Sequence, residues 1–227
     1  STICGMPANR STVELMAELD HIVFACPDVA EGTRIIHELT GAMAVVGGAH
    51  EGRGTHNTLL TFDDRTYFEI IGVDSNQPNP ERPRGFGIDD LDGPKLVAYA
   101  VHTVGDESLD DLASVVRSAG FNPGIQLAVS RRKPDGELLE WELTTGGDTA
   151  HGLDGALPFA IDWLGGLSPA SSLPAMGSLV KLLVCNPDPR VAEVISGLGL
   201  SDAIDFAVGP AQLTATIETP NGIVELS

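Results

Sequence analysis

From Leu19 to Cys26, Ile22 and Phe24 alternate with His21, Val23 and Ala25, the period of two that a strand imposes. The period then lengthens. Val29, Ile35, Ile36 and Leu39 fall at helical spacing, Asp28 is placed to cap the helix start, and Gly41 to stop it. Strand-like runs return at 44–46, 55–62 and 66–72, with the glycine-rich stretch 47–54 between the first two. A proline-rich segment, 77–94, reads as a linker or lid.

The order then repeats. A strand at 95–104 precedes a helix over 107–119, with Leu109, Leu112, Val115 and Val116 on one side. Strands at 125–132 and 138–144 flank the turn Pro134-Asp135-Gly136, and 157–163 closes the unit. A shorter third pass has a strand at 178–184, a helix at 191–198 and strands at 206–208, 213–218 and 223–226. The pattern predicts an α+β fold of repeated βαβββ modules, since one such unit cannot bury its own sheet face. We divide the chain into an N-terminal extension (1–17), a domain of two modules at 18–165 (18–73 and 95–165, joined by the linker 74–94), and a third module at 177–227. Aligning Asp28, Asp106 and Asp188 sets Tyr99 and Lys181 level with His21, and Asp162 and Glu225 near Glu69. By parity, Phe159, Ile161 and Trp163 join Ile22, Phe24, Phe68 and Ile70 on a helix-covered face, opposite His21, Glu69 and Asp162.

Charge narrows the partners. The net charge is −19, from 32 acidic and 13 basic side chains. Such a chain repels phosphate backbones and anionic lipid, so we expect neither nucleic acid nor membrane as a partner. No apolar run reaches the roughly 18 residues of a membrane span. Nor do the first dozen residues read as a secretory leader. Three cysteines, Cys4, Cys26 and Cys185, are too scattered for a disulfide framework and suit a reducing, cytoplasmic setting.

Candidate chemistry centres on His21 and Glu69, a strand histidine and a strand glutamate on one face that together make half of a metal site. A glutamate within an apolar strand is costly to bury without a partner; its alternative is an edge carboxylate in water. His56 shares parity with Thr58 and Leu60 and either joins this face or braces the glycine-rich loop. That loop lacks the Lys-Ser/Thr ending of a phosphate loop, so its glycines point to a bulge or a close ligand approach. His50, within it, reads as a surface residue, and Trp141 and Trp163 as core. Arg53, Arg131 and Arg132 are scarce cations, suited to a carboxylate held by two hydrogen bonds or to solvated hairpin charge.

These residues resemble the vicinal oxygen chelate superfamily, and within it glyoxalase-like proteins. The carriers are Leu19-Asp20-His21-Ile22-Val23, Gly47-Gly48 with Gly54-Thr55-His56-Asn57, Tyr67-Phe68-Glu69-Ile70, and Pro134-Asp135-Gly136 with Leu139-Glu140-Trp141. The resemblance implies two modules side by side, their curved mixed sheets forming a cup with helices outside. It implies a divalent metal (Zn, Fe, Mn or Ni) held by His21 and Glu69. The second half offers Tyr99 and Asp162 at the matching positions; pairing with the third unit would instead offer Lys181 and Glu225. A metal-dependent lyase, isomerase or dioxygenase acting on a small carbonyl or carboxylate substrate follows, with Glu69 or Asp162 as base and Arg53, His56, Asn57, Tyr99 and Arg131 around the substrate. The other reading is a metal-free protein that sequesters a small molecule, of the bleomycin-resistance type. A third module with an uncovered apolar sheet suggests a homodimer.

Overall fold

The computed structural model describes residues 16–227 except Asp64 and Glu81, so most of the expected N-terminal extension, with Cys4, lies outside the described residues. The first module runs β1 (Ala17–Cys26), α1 (Val29–Thr40), β2 (Val45–His50), β3 (Thr55–Thr61) and β4 (Tyr67–Val73). The second runs β5 (Lys95–Thr103), α2 (Leu109–Ser118), β6 (Ile125–Arg132), β7 (Leu138–Thr145) and β8 (Phe159–Asp162). No helix among the described residues is long and apolar enough to cross a membrane.

The helices begin and end for local reasons. Asp28 accepts a hydrogen bond from the Ala30 N–H at 2.8 Å, and Gly41, at φ 77°, closes α1 in the left-handed conformation. α2 starts with a capping box in which the Ser108 and Asp111 side chains each accept from the other's backbone N–H. Its cap is thus Ser108 and not Asp106, and the expected common register at the aspartates does not hold.

The eight strands of the two modules close into a barrel in the order β1-β4-β3-β2-β6-β7-β8-β5. β1 runs parallel to β4 and antiparallel to β5, and the seam between β2 and β6 is short, with only Ala49 and His50 paired to Arg132 and Arg131. The curved mixed sheet of the expectation is therefore present as a cup, with helices outside.

Irregularities in β1 and β2 help to set which side chains enter the cup, as does a second shift between β1 and β5 that passes over Val97. In β1 the register against β5 slips between Leu19 and His21, leaving Asp20 as an extra residue. Ala17 and Leu19 therefore pack with Ile22 and Phe24 on the helix side, while Val23 and Ala25 face inward. In β2 the slip lies between Val46 and Gly48, making Gly47 the bulged residue. The glycine-rich stretch does supply a bulge.

The third unit corrects the sequence reading. β9 (Ser178–Asn186), α3 (Val191–Gly197), β10 (Ile204–Val208), β11 (Gln212–Thr219) and β12 (Gly222–Leu226) keep the chain order of a module but pair as β10-β9-β11-β12. The first strand is central and parallel to the one that follows the helix, whereas β1 is parallel to the last strand of its module. It is a different unit, not a third copy. Its Leu182, Val184, Leu213, Ala215, Ile217 and Leu226 are buried in one cluster with Ile22, Phe68, Tyr99 and the faces of α1 and α2. The apolar face that suggested pairing between chains is thus covered from within the chain.

Candidate functional site

The barrel encloses a cavity of about 910 Å³, at the upper end of the range of ligand pockets. Its polar floor is His21 (β1), His50 (β2), Asn57 (β3), Tyr67 and Glu69 (β4) and Arg131 (β6). An apolar wall adjoins it: Val129, Trp141, Leu143, Phe159, Ile161 and Trp163, with Phe159 5.4 Å from His21 and Trp141 6.1 Å from His50 between ring centres. The proline-rich loop crosses it as residues 82–87 and 89–90, with Phe86 against Phe159 at 5.8 Å between ring centres. Arg84 ties that loop down, donating to the Gly54 carbonyl at 2.8 Å and to Asp89 at 2.7 Å.

Glu69 lies between two imidazoles. His21 Nε2 stands 3.7 Å from its Oε2, and His50 Nε2 3.8 Å from its Oε1. Asn57 donates to Oε1 at 2.6 Å. Each ring is anchored through its far nitrogen: His21 Nδ1 meets Asp20 Oδ1 at 2.6 Å, and His50 Nδ1 meets Thr55 Oγ1 at 2.9 Å. His21 also stacks on Tyr67, 4.4 Å between centres. An anchored Nδ1 fixes ring orientation and leaves Nε2 to face the carboxylate.

Asp20 is the hub behind the floor. Trp163 Nε1 donates to its Oδ2 at 2.9 Å, and His102 Nδ1 stands 3.1 Å from the same oxygen. The His102 contact is out of line, so it is an ion pair without an aligned hydrogen bond. Burial pushes the Asp20 carboxyl up, but His102, His21 and Trp163 together outweigh it and hold the group at about 2. His102 is correspondingly raised, first by Asp20, against the opposing effect of burial. Burial drives His50 down to about 4, against the pull of Glu69 and helped by Arg131 and Arg53, so His50 is neutral near pH 7.

The structure gathers His21, Glu69, Asn57, Arg53 and Arg131 around one cavity. Three other expected residues stand elsewhere. Tyr99 is buried on the helix side, where its hydroxyl donates to the Ala156 carbonyl at 3.0 Å. Asp162 caps the turn after β8, accepting from the Leu164 N–H at 2.8 Å. His56 lies outside the cavity lining, on the opposite face of β3 from Asn57. Conversely, His50 is only 7% exposed and sits in the floor, and Trp141, Phe159, Ile161 and Trp163 face the cup, not the helices. β8 is buried along Phe159–Ile161, so its apolar side chains do not reveal which face is which, whereas in β7 the alternation of Leu139, Trp141 and Leu143 with Glu140 and Glu142 marks the inner face. The signals that sequence reading passed over were Asp20, next to His21, and the short spacing of His50 from Asn57 across a hairpin.

A divalent ion finds no complete set of donors here. Among the described residues no three of His, Cys, Asp and Glu gather where an ion could be held. His21 and His50 meet different oxygens of Glu69 and so flank the carboxylate without sharing a vertex with it. The first- and last-strand positions of the second module bring Phe159, Ile161 and Trp163 to the cavity, and neither Tyr99 nor Asp162 lines it. The expected pair His21 and Glu69 remains two donors short of a closed four-ligand site.

A family model described as a glyoxalase-like domain matches residues 19–198. The chain belongs to that family. The glyoxalase-like assignment covers both barrel modules and continues through α3 of the third unit. No curated protein matches the chain. Among solved structures, a hypothetical protein from Staphylococcus aureus shares the fold, with a TM-score of 0.60 and 14% identity over 92% of this chain and 98% of its own. Methylmalonyl-CoA epimerases are more distant. That from Mycobacterium tuberculosis gives a TM-score of 0.41 and 17% identity over 65% of this chain and 88% of its own. One from Streptomyces coelicolor gives 0.44 and 17% over 68% and 99%.

Proposed function

We propose that this glyoxalase-like protein catalyses proton transfer on a small oxygenated substrate, as an isomerase or lyase, with Glu69 as the base. The observation that carries this reading is the Glu69 carboxylate set between two anchored imidazoles at the floor of an apolar cavity. A base needs a hydrogen-bonding shell that holds it without neutralising it; Asn57 supplies this at Oε1, leaving Oε2 toward His21. Glu69 takes a proton from the carbon beside a substrate carbonyl, and the electron pair moves onto the carbonyl oxygen. Arg131, in the same floor, gives the site a positive charge. Return of the proton completes an isomerisation; departure of a group from the neighbouring carbon completes an elimination. His21, oriented by Asp20, exchanges the proton with Glu69 between turnovers. No step uses a metal, because the donors do not fit one.

The test is loss of carbon-bound protons into heavy water, followed by proton NMR across a panel of small 2-oxo and 2-hydroxy carboxylates and aldehydes. We expect exchange with at least one compound, reduced roughly 10²–10⁴-fold in Glu69→Gln with an unchanged thermal melt. Exchange indifferent to Glu69→Gln overturns the assignment, as does one tightly held metal per chain whose removal abolishes exchange. The apolar wall with two tryptophans favours a second reading, a metal-free protein that holds a small molecule without changing it. Saturable binding with no exchange across the panel selects that reading.

A further inference from the structure

Arg131, in the cavity floor, forms no ion pair with a carboxylate among the described residues. Arg131 is 5% exposed, and its Nε is buried with no hydrogen-bond partner among the described residues. Among the described residues its one hydrogen bond to another side chain is long, from Nη1 to Asn57 Oδ1 at 3.4 Å. A buried guanidinium left short of partners costs the protein stability, so its retention points to a group that arrives later. The backbone makes room for it. A Cβ on Gly47 would stand 2.6 Å from Arg131 Nη1, and one on Gly48 would stand 3.2 Å from Arg131 Cγ. The arginine is therefore laid flat along the bulge of β2 and presented to the cavity.

We propose that Arg131 is the anchor for a substrate carboxylate, so that the ligand is a small monocarboxylate with an apolar, preferably aromatic, body. A guanidinium edge offers two parallel N–H groups that match the two oxygens of a carboxylate. One buried cation balances one negative charge. A phosphate dianion would add a second charge close to Glu69, in a protein that already carries −19. The body of the ligand then lies against Trp141, Trp163 and Phe159. Asn57 bridges the anchor and the base, donating to Glu69 at 2.6 Å while accepting from Arg131. A carbon one or two bonds from a bound carboxylate therefore faces the Glu69 side of the floor. This inference rests on reading the cavity as a substrate site, but it concerns binding and is tested by binding.

The chain has two tryptophans, and both line the cavity, so intrinsic fluorescence reports occupancy directly. Three probes separate the chemistry: 3-phenylpropionate, its neutral amide and 2-phenylethyl phosphate. We expect saturable quenching by the carboxylate, with the amide and the phosphate each weaker by roughly tenfold or more. In Arg131→Gln the carboxylate should fall to the affinity of the amide, while amide binding persists. Arg131→Lys should keep part of the preference, as a point charge without the fork. Glu69→Gln should keep or strengthen carboxylate binding even where exchange is lost, which separates failure of the anchor from failure of the base. Equal affinity for carboxylate and amide in the native protein, no saturable quenching by the carboxylate, or a tighter phosphate overturns the proposal. The comparison of probes on the native protein decides the question even if Arg131→Gln does not fold.

Discussion

At the residue scale, the chemistry of the floor depends on two groups whose ionisation the fold has shifted. Asp20 is held at about 2 and orients His21; removing its charge removes the reason for the ring's orientation. Asp20→Asn should lower any proton-exchange rate by roughly 10² or more while leaving fluorescence-detected ligand binding intact, because misorientation of a catalytic imidazole costs rate and not affinity. His50 makes a stability prediction. Its pKa falls from 6.5 to about 4 on folding, so the unfolded chain binds the extra proton between those values. Stability from this group is whole above pH 6.5 and drains as pH falls toward 4, by a few kcal/mol at most, on the order of 3. Asp20 adds a second loss between 3.8 and about 2. Melting midpoints measured across pH should fall below 6.5 in the native protein; in His50→Asn the first limb should flatten. A midpoint independent of pH between 6.5 and 4 in the native protein would refute the assignment of a buried neutral His50.

At the element scale, the bulges matter more than the strands. Gly47 shows this. A Cβ there would lie 2.1 Å from Asn57 Oδ1 as well as 2.6 Å from Arg131, so Gly47→Ala must displace the amide that supports Glu69. We expect Gly47→Ala to lose exchange activity and carboxylate preference together, with a melting loss equivalent to roughly 1–3 kcal/mol from overpacking; a variant with native activity would show that the contact is not needed. Period-two alternation made β1, β3 and β4 legible as strands. It could not locate the slip at Asp20, because one extra residue reverses the parity of everything beyond it and leaves composition unchanged. The alignment of Tyr99 with His21 fails for a related reason, a second shift that passes over Val97 in β5. Tyr99 was set level with His21 by counting, whereas the paired register sends it to the helices.

At the scale of the whole molecule, the third unit behaves as part of the core. β11 packs on β5, β12 on α1 and α3 on α2, and the Ala17 N–H at the start of β1 donates to the Leu198 carbonyl after α3. Five of its sheet side chains in the shared cluster, Leu182, Val184, Leu213, Ile217 and Leu226, alone represent roughly 10 kcal/mol of burial at about 2 each, comparable to the whole stability of a typical domain. A chain ending at 176 should therefore be found in the insoluble fraction or bind a hydrophobic dye. Soluble expression with a cooperative melt near the native value would refute that coupling.

By itself the sequence determined the alternation of strands and helices, the caps at Asp28 and Gly41, the doubled module and the glyoxalase-like family. These rest on near neighbours along the chain, where period, capping and turn chemistry act. It also marked His21 and Glu69 as unusual, because a histidine and a carboxylate in apolar strands need a reason to be there. Only the tertiary structure decided which side chains share the floor. Asp20, His50 and Arg131 come from three strands brought together by barrel closure, and their partners lie far away in sequence. Closure also decided that β8 would turn Phe159 and Ile161 to the cavity where a metal donor was expected, since a strand buried on both faces carries the same apolar signature whichever way it turns.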